Sequence, residues 1–286
     1  MSQTYALRGT PIEPFGVEID FDLREMLTDQ QQAMLRDLRA RHHLLLFRNQ
    51  ALTLEEQIRV ISTFGPILQA EGEGLGYVSN KHERGILGND PLDFHADLDF
   101  SPNGSYYIIS LHAVVVPDGK TSTFFTSMKR GYDALPADLK ERVGRLDAID
   151  VWIKNPTGRN RVADLPPGSP QFRHPLVRTL PVSGDNAIHA SRTGTSEIVG
   201  LDYEESEALL ETILGSVYHS SNVYEHRWNT GDIVIWDNRA LQHRRGGVSP
   251  DEKRTLQRVV SAEEGAGFRK QFPQFTLDQY RHTAAG

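Results

Sequence analysis

Between Asp232 and Arg258 the chain runs D-I-V-I-W-D-N-R-A-L-Q-H, a Gly-Gly turn, and a segment carrying two arginines. An apolar strand is therefore followed by a histidine (His243), a loop and the pair Arg254 and Arg258. Far upstream, Phe94-His95-Ala96-Asp97 supplies a second histidine and a carboxylate. The rest of the chain reads as the scaffold that brings residues 95–97 and 243 together.

Around this stretch lie many short segments of strand character. SYYIISLHAVVV at 105–116 is rich in β-branched and aromatic residues, and 42–47, 121–126, 148–154, 174–180, 186–190, 223–228 and 254–261 also read as strands. Helices are predicted after Thr28 and Thr53, each followed three residues on by Gln31 or Glu56 as a capping box, and after Asp202 with Glu205. A further helix is expected over 136–146. The paired His42 and His43 fall on a short strand in this reading, so they face opposite ways and do not share an ion. Residues 68–93 (EGEGLG, NKHERG, LGND) read as a long loop over the site, and 155–172, with four prolines, as a loop or lid. About 264–286 forms a tail. One domain over 1–286 is expected, mainly β with flanking helices, as an antiparallel double-sheet roll.

Composition narrows the chemistry. The chain of 286 residues has no cysteine, so any metal must be held by His, Asp or Glu. A net charge of −7 argues against nucleic acid or an anionic membrane as partner. No secretory signal or membrane-spanning run is visible, and a cytoplasmic protein is expected.

On an extended segment His95 and Asp97 point to one side and can approach one ion together; Asp99 shares that parity. With His243 they fit the facial triad of a non-haem Fe(II) oxygenase, in which three positions on iron stay open. Arg254 and Arg258, four apart on a strand, face the same way, roughly 13 Å apart at about 3.3 Å per residue. If that face is interior, each guanidinium needs an anion. Arg159 and Arg161, in the proline-rich loop, are further candidates to reach a substrate from a lid.

H-x-D, then W-D-N-R-x-x-x-H, then an arginine eleven residues on, together with LLLFRNQ, FGP and HPLVRTLPVSG, resembles the taurine dioxygenase and 2,4-dichlorophenoxyacetate dioxygenase family. The similarity covers roughly residues 12–262. It implies a double-stranded β-helix of jelly-roll, cupin-like type with flanking helices. It also implies Fe(II) on His95, Asp97 (rather than Asp99) and His243. 2-Oxoglutarate would meet Arg254 and Thr123, and O2 would take the remaining iron position. Arg258 matches a second family arginine near the substrate, taken to be a small organic anion, and Trp236 packs beside the site. Oxidative decarboxylation of 2-oxoglutarate to succinate and CO2, coupled to hydroxylation, is the implied reaction. Homo-oligomers are common in that family. The stretch before His95 (Pro91-Leu92-Asp93-Phe94) departs from the taurine enzyme, so taurine is not implied as substrate. Two other readings are a zinc-type hydrolase using the same triad and a non-catalytic jelly-roll binding protein. Both leave Arg254 without a role.

Overall fold

Three consecutive leucines and a phenylalanine (44–47) and the run Ile233–Trp236 are apolar on both faces, and each lies between two layers. The computed structural model describes residues 7–69, 74–80, 85–87, 91–101, 106–246, 248–249, 251–263 and 266–272. The first half holds β1 (Arg8–Pro11), β2 (Val17–Asp20), α1 (Asp29–His42), β3 (Leu44–Phe47), α2 (Leu54–Ser62), β4 (Leu75–Ser79), β5 (Gly85–Leu87), β6 (Leu92–His95), β7 (Tyr106–Val115), β8 (Ser122–Ser127), α3 (Met128–Asp133) and α4 (Ala137–Val143). The second half holds β9 (Asp147–Val151), β10 (Gln171–Pro175), β11 (Val177–Thr179), β12 (Asn186–Ile188), β13 (Thr195–Ile198), α5 (Tyr203–Val217), β14 (Val223–Arg227), β15 (Ile233–Asp237), β16 (Leu241–Arg245), β17 (Thr255–Ala262) and α6 (Phe268–Gln271).

One sheet has the order β1-β2-β3-β15-β7-β17-β4-β5, and a four-stranded sheet has the order β14-β8-β16-β6. The pairs β2–β3 and β4–β5 are parallel, the others antiparallel. Alternation along each strand sorts its residues. Leu45, Phe47, Ile108, Ile233, Ile235 and Val259 pack under the helices with Leu35, Val60 and Ile61. Leu44, Leu46, Ile109, Leu111, Val234, Trp236, Leu256 and Val260 face inward, where they meet Phe125, Trp228 and Leu241 of the second sheet and its edge. This is the expected jelly roll, with helices outside. Arg254 and Arg258 share the parity of Leu256 and Val260, so the inward-facing alternative holds; they are 2% and 7% exposed.

Both capping boxes at Thr28 and Thr53 are present, each with its side-chain oxygen accepting from the third residue on. His42 and His43 depart from the strand reading. His42 ends α1, and His43 caps it in the left-handed region at φ 60°, buried beneath. The segment 68–93 carries three strands rather than one loop, and its remaining residues lie partly outside those described. The loop 155–172 is tied down: Asn160 accepts from the amides of Lys154 and Asn155 and donates to the Thr193 carbonyl. Arg159 and Arg161 reach Glu207 of α5, at 3.3 and 3.5 Å, rather than the site. The tail is described only as far as α6 and Phe272; 273–286 lie outside the described residues. No described helix is long and apolar enough to cross a membrane.

Burial lowers the pKa of His43, His112 and His226, all in the core. The unfolded chain therefore binds more protons than the folded one between their folded values and about 6.5, and stability rises with pH across that window. We predict a urea midpoint that is level above about pH 7 and falls steadily below about 6.5. A midpoint unchanged from pH 7 to pH 5 would show that these histidines do not stay neutral in the fold.

Candidate active site and metal centre

β6 and β16 are hydrogen-bonded neighbours, and their register sets His95 directly opposite His243. The two rings lie 4.3 Å apart between centroids. His243 sits on a strand of its own after β15. Asp97 Oδ1 stands 3.1 Å from His95 Nε2 and 3.8 Å from His243 Nε2. All three ligand atoms fall within 4.8 Å of one another. Two imidazole nitrogens and one carboxylate oxygen converge, which is the donor set of a facial non-haem iron site.

The chain fixes each member. His95 Nδ1 faces the Asp93 carbonyl at 2.8 Å. That contact orients the ring with Nε2 toward Asp97 Oδ1. A cation held by His95 Nε2, Asp97 Oδ1 and His243 Nε2 would meet all three atoms, so the residues present fit a metal. Trp236 and Phe125 pack on His243, with ring centroids 5.0 and 6.3 Å away. Asn238 clamps Asp97: its Oδ1 accepts from the Asp97 amide and its Nδ2 donates to the Asp97 carbonyl, both at 2.9 Å. Leu98 then adopts φ 63°, a conformation a bulky residue rarely takes. This turn breaks the alternation that His95, Asp97 and Asp99 would otherwise share. Asp99 points away to Arg178, 2.9 Å distant.

Electrostatics favour a ready site. Burial, then the charge of His95, pushes the His243 pKa down to about 3, so the ring is a neutral ligand at pH 7. Burial alone would raise the Asp97 carboxyl, but the His95 hydrogen bond and the Arg258 guanidinium hold it well below the usual carboxylate range. Arg258 Nη2 reaches Asp97 Oδ2 at 2.7 Å, the oxygen turned away from the histidines.

Arg254 differs from Arg258. Among the described residues no carboxylate pairs with it, its Nε has no partner, and its Nη2 meets only the Thr123 hydroxyl at 3.4 Å. Burial, then Arg245, lowers its pKa to about 9, which leaves it charged at neutral pH. Thr123 is itself held by Trp228 Nε1 at 2.9 Å. It lies on β8 two residues from Phe125, the residue opposite His243. A buried, charged fork thus meets β8 two residues from the partner of His243.

The fold therefore brings His95, Asp97, His243 and Arg258 into one cluster and sets Arg254 against Thr123 beside it. Sequence reasoning missed Asn238 and Trp228. Asn238 stands in a motif quoted and Trp228 ends a predicted strand, but no spacing signals an amide reaching back from 238 to 97 or an indole N–H fixing a threonine.

The family model "Taurine catabolism dioxygenase TauD, TfdA family" matches residues 8–260. An alpha-ketoglutarate-dependent 2,4-dichlorophenoxyacetate dioxygenase of Cupriavidus pinatubonensis is 30% identical over 89% of this chain and 96% of its own. An (S)-phenoxypropionate/alpha-ketoglutarate-dioxygenase of Sphingobium herbicidovorans is 32% identical over 80% of this chain and 86% of its own. The crystal structure of AAD-2 in complex with Mn(II) and N-oxalylglycine superposes with a TM-score of 0.75 and 25% identity, over 91% of this chain and 98% of that one. With the triad and the jelly roll in place, the chain belongs to the TauD/TfdA family and is a 2-oxoglutarate-dependent non-haem iron dioxygenase.

Proposed function

We propose that His95, Asp97 and His243 hold Fe(II), that Arg254 and Thr123 bind the distal carboxylate of 2-oxoglutarate, and that Arg258 helps orient a small anionic substrate. The observation that carries this reading is Arg254: a buried guanidinium with an unpartnered Nε and no carboxylate among the described residues. Such a cation is costly unless an anion completes it, and its planar fork suits a carboxylate. Iron held there would activate O2, the oxidant whose two oxygen atoms end in succinate and in the hydroxylated substrate as 2-oxoglutarate loses CO2.

The protein's part is positional. Asp97 presents Oδ1 to the metal while Arg258 holds Oδ2, which fixes the carboxylate's rotation. The Asp93 carbonyl and Asn238 orient the first two ligands, and Trp236 and Phe125 shield the third from water. An anionic substrate is supported by Arg258, buried next to the triad, and by relatives whose named substrates, 2,4-dichlorophenoxyacetate and (S)-phenoxypropionate, are carboxylates. The single family match over 8–260 supports one dioxygenase domain. We place the protein in the cytoplasm, whose reducing conditions keep iron ferrous.

The direct test is succinate release from 2-oxoglutarate with Fe(II), screened against small carboxylates and sulfonates, aryloxyacetates first. Stimulation by an anion is expected; stimulation only by neutral compounds would remove the substrate assignment. Arg254→Gln should weaken 2-oxoglutarate binding roughly 30- to 150-fold, since charge-assisted bonds contribute about 2–3 kcal/mol. Its Fe(II) affinity should stay within about threefold of wild type, because it touches no ligand. For Arg258→Gln, KM for the anionic substrate should rise at least ~tenfold while 2-oxoglutarate affinity is kept. Unchanged substrate KM with collapsed iron affinity would make Arg258 a positioning residue for Asp97 alone.

A further inference from the structure

Behind the candidate iron site lies a second group of metal-ligating side chains that the dioxygenase reaction does not use. Asp150 of β9, His174 of β10 and His189, just after β12, place their ligand atoms within 4.8 Å of one another. They are 1%, 3% and 7% exposed. The imidazoles lie face to face, 3.5 Å between centroids.

Each of the three turns an unpartnered atom inward: Asp150 Oδ2, His174 Nε2 and His189 Nε2. Their other atoms are already committed. Thr195 Oγ1 donates to Asp150 Oδ1 at 2.6 Å. His174 Nδ1 meets the Pro175 carbonyl at 3.0 Å, and the His189 ring hydrogen-bonds the same carbonyl. With Nδ1 donating there, a neutral His174 ring would offer its Nε2 lone pair to the centre of the cluster, where the Nε2 of His189 also has no hydrogen bond. A ligating histidine is ordinarily held this way, its second nitrogen donating to a backbone carbonyl. Asp99 completes the surround: its Oδ1 lies 3.6 Å from His189 Nε2 and accepts from Arg178 at 2.9 Å.

A proton alone does not satisfy this arrangement. Protonated His174 would pair with Asp150, 3.3 Å from Nε2 to Oδ2, yet His189 Nε2 would still have only the longer contact to Asp99 Oδ1, at 3.6 Å. A divalent ion meets all three atoms at once. Two nitrogens with carboxylate oxygen, and no sulfur, suit a borderline ion such as Zn(II) in four-coordinate geometry.

We propose that Asp150, His174 and His189 form a second, buried site for a divalent metal of the zinc class, with Asp99 as the fourth ligand. Its role is structural. Asp99 lies two residues beyond Asp97, past the left-handed turn at Leu98, so a metal there anchors the segment that carries the iron ligand to the three-stranded sheet β10-β9-β13.

The test is to strip the purified protein of metal, load it anaerobically with Co(II), count bound cobalt and record the visible spectrum. Wild type should take two equivalents per chain, one with the intense bands of four-coordinate cobalt. His243→Ala should keep one equivalent and those bands, while His189→Asn should keep one equivalent and lose them. A single equivalent in wild type would overturn the site, as would two in His189→Asn. Should His189→Asn fail to fold, the wild-type and His243→Ala counts decide: loss of the intense bands in His243→Ala also overturns it. Because this site shares no ligand with the triad, it can fail while the dioxygenase assignment stands.

Discussion

The register between β6 and β16 is the constraint on which the rest of the site depends. In an antiparallel pair, directly opposite residues have side chains close enough to share an ion. His95 and His243, far apart in sequence, become such a pair. A slip of one residue would turn His243 to the other face and leave no metal site. The register is held from several sides. β16 also pairs with β8, Trp236 and Phe125 pack against the His243 ring, and Asn238 ties the turn before β16 to the backbone of Asp97. Asp237, next to Asn238, is anchored to Arg39 of α1 by a buried ion pair of 2.8 Å. The outer helix thus helps to place the turn from which the third ligand follows.

Charge inside the roll gives the site its direction. Asp97, Arg258 and Arg254 are charged groups on the inner faces, the two arginines buried and Asp97 half-buried. Asp97 and Arg258 compensate each other. Arg254 has no such carboxylate among the described residues, and desolvation makes an uncompensated guanidinium unfavourable. Under the proposed assignment, a dicarboxylate cosubstrate would supply the missing charge there. Binding energy that would otherwise stabilise the free protein is thereby held for the ligand, a common arrangement where function and stability compete.

Much of this was legible in the sequence because it rests on local rules. The capping boxes at Thr28 and Thr53, the strand 106–115 and the shared parity of Arg254 and Arg258 follow from periodicity and side-chain chemistry. The H-x-D and distal histidine became a site only through the family resemblance, since nothing local says that residues 95 and 243 meet. Asp97 and Asp99 could not be separated by parity, because the left-handed turn at Leu98 has no glycine or asparagine to announce it. The strands at 75–79 and 85–87 were hidden among Gly and charged residues, where pairing with β17 and β4 overrides weak local propensity. The Asp150, His174 and His189 cluster was invisible for the same reason as Asn238: its members come from separate elements brought together by tertiary packing.

The most direct measurement is the visible charge-transfer band that forms when Fe(II) and 2-oxoglutarate are added anaerobically, recorded for wild type and for His243→Ala and Asp97→Ala. The band should appear in wild type and be absent from both variants at equal iron and cosubstrate, with folding verified by circular dichroism. A full band in either variant, or none in wild type with iron demonstrably bound, would contradict the assignment of His95, Asp97 and His243 as the centre that holds the metal.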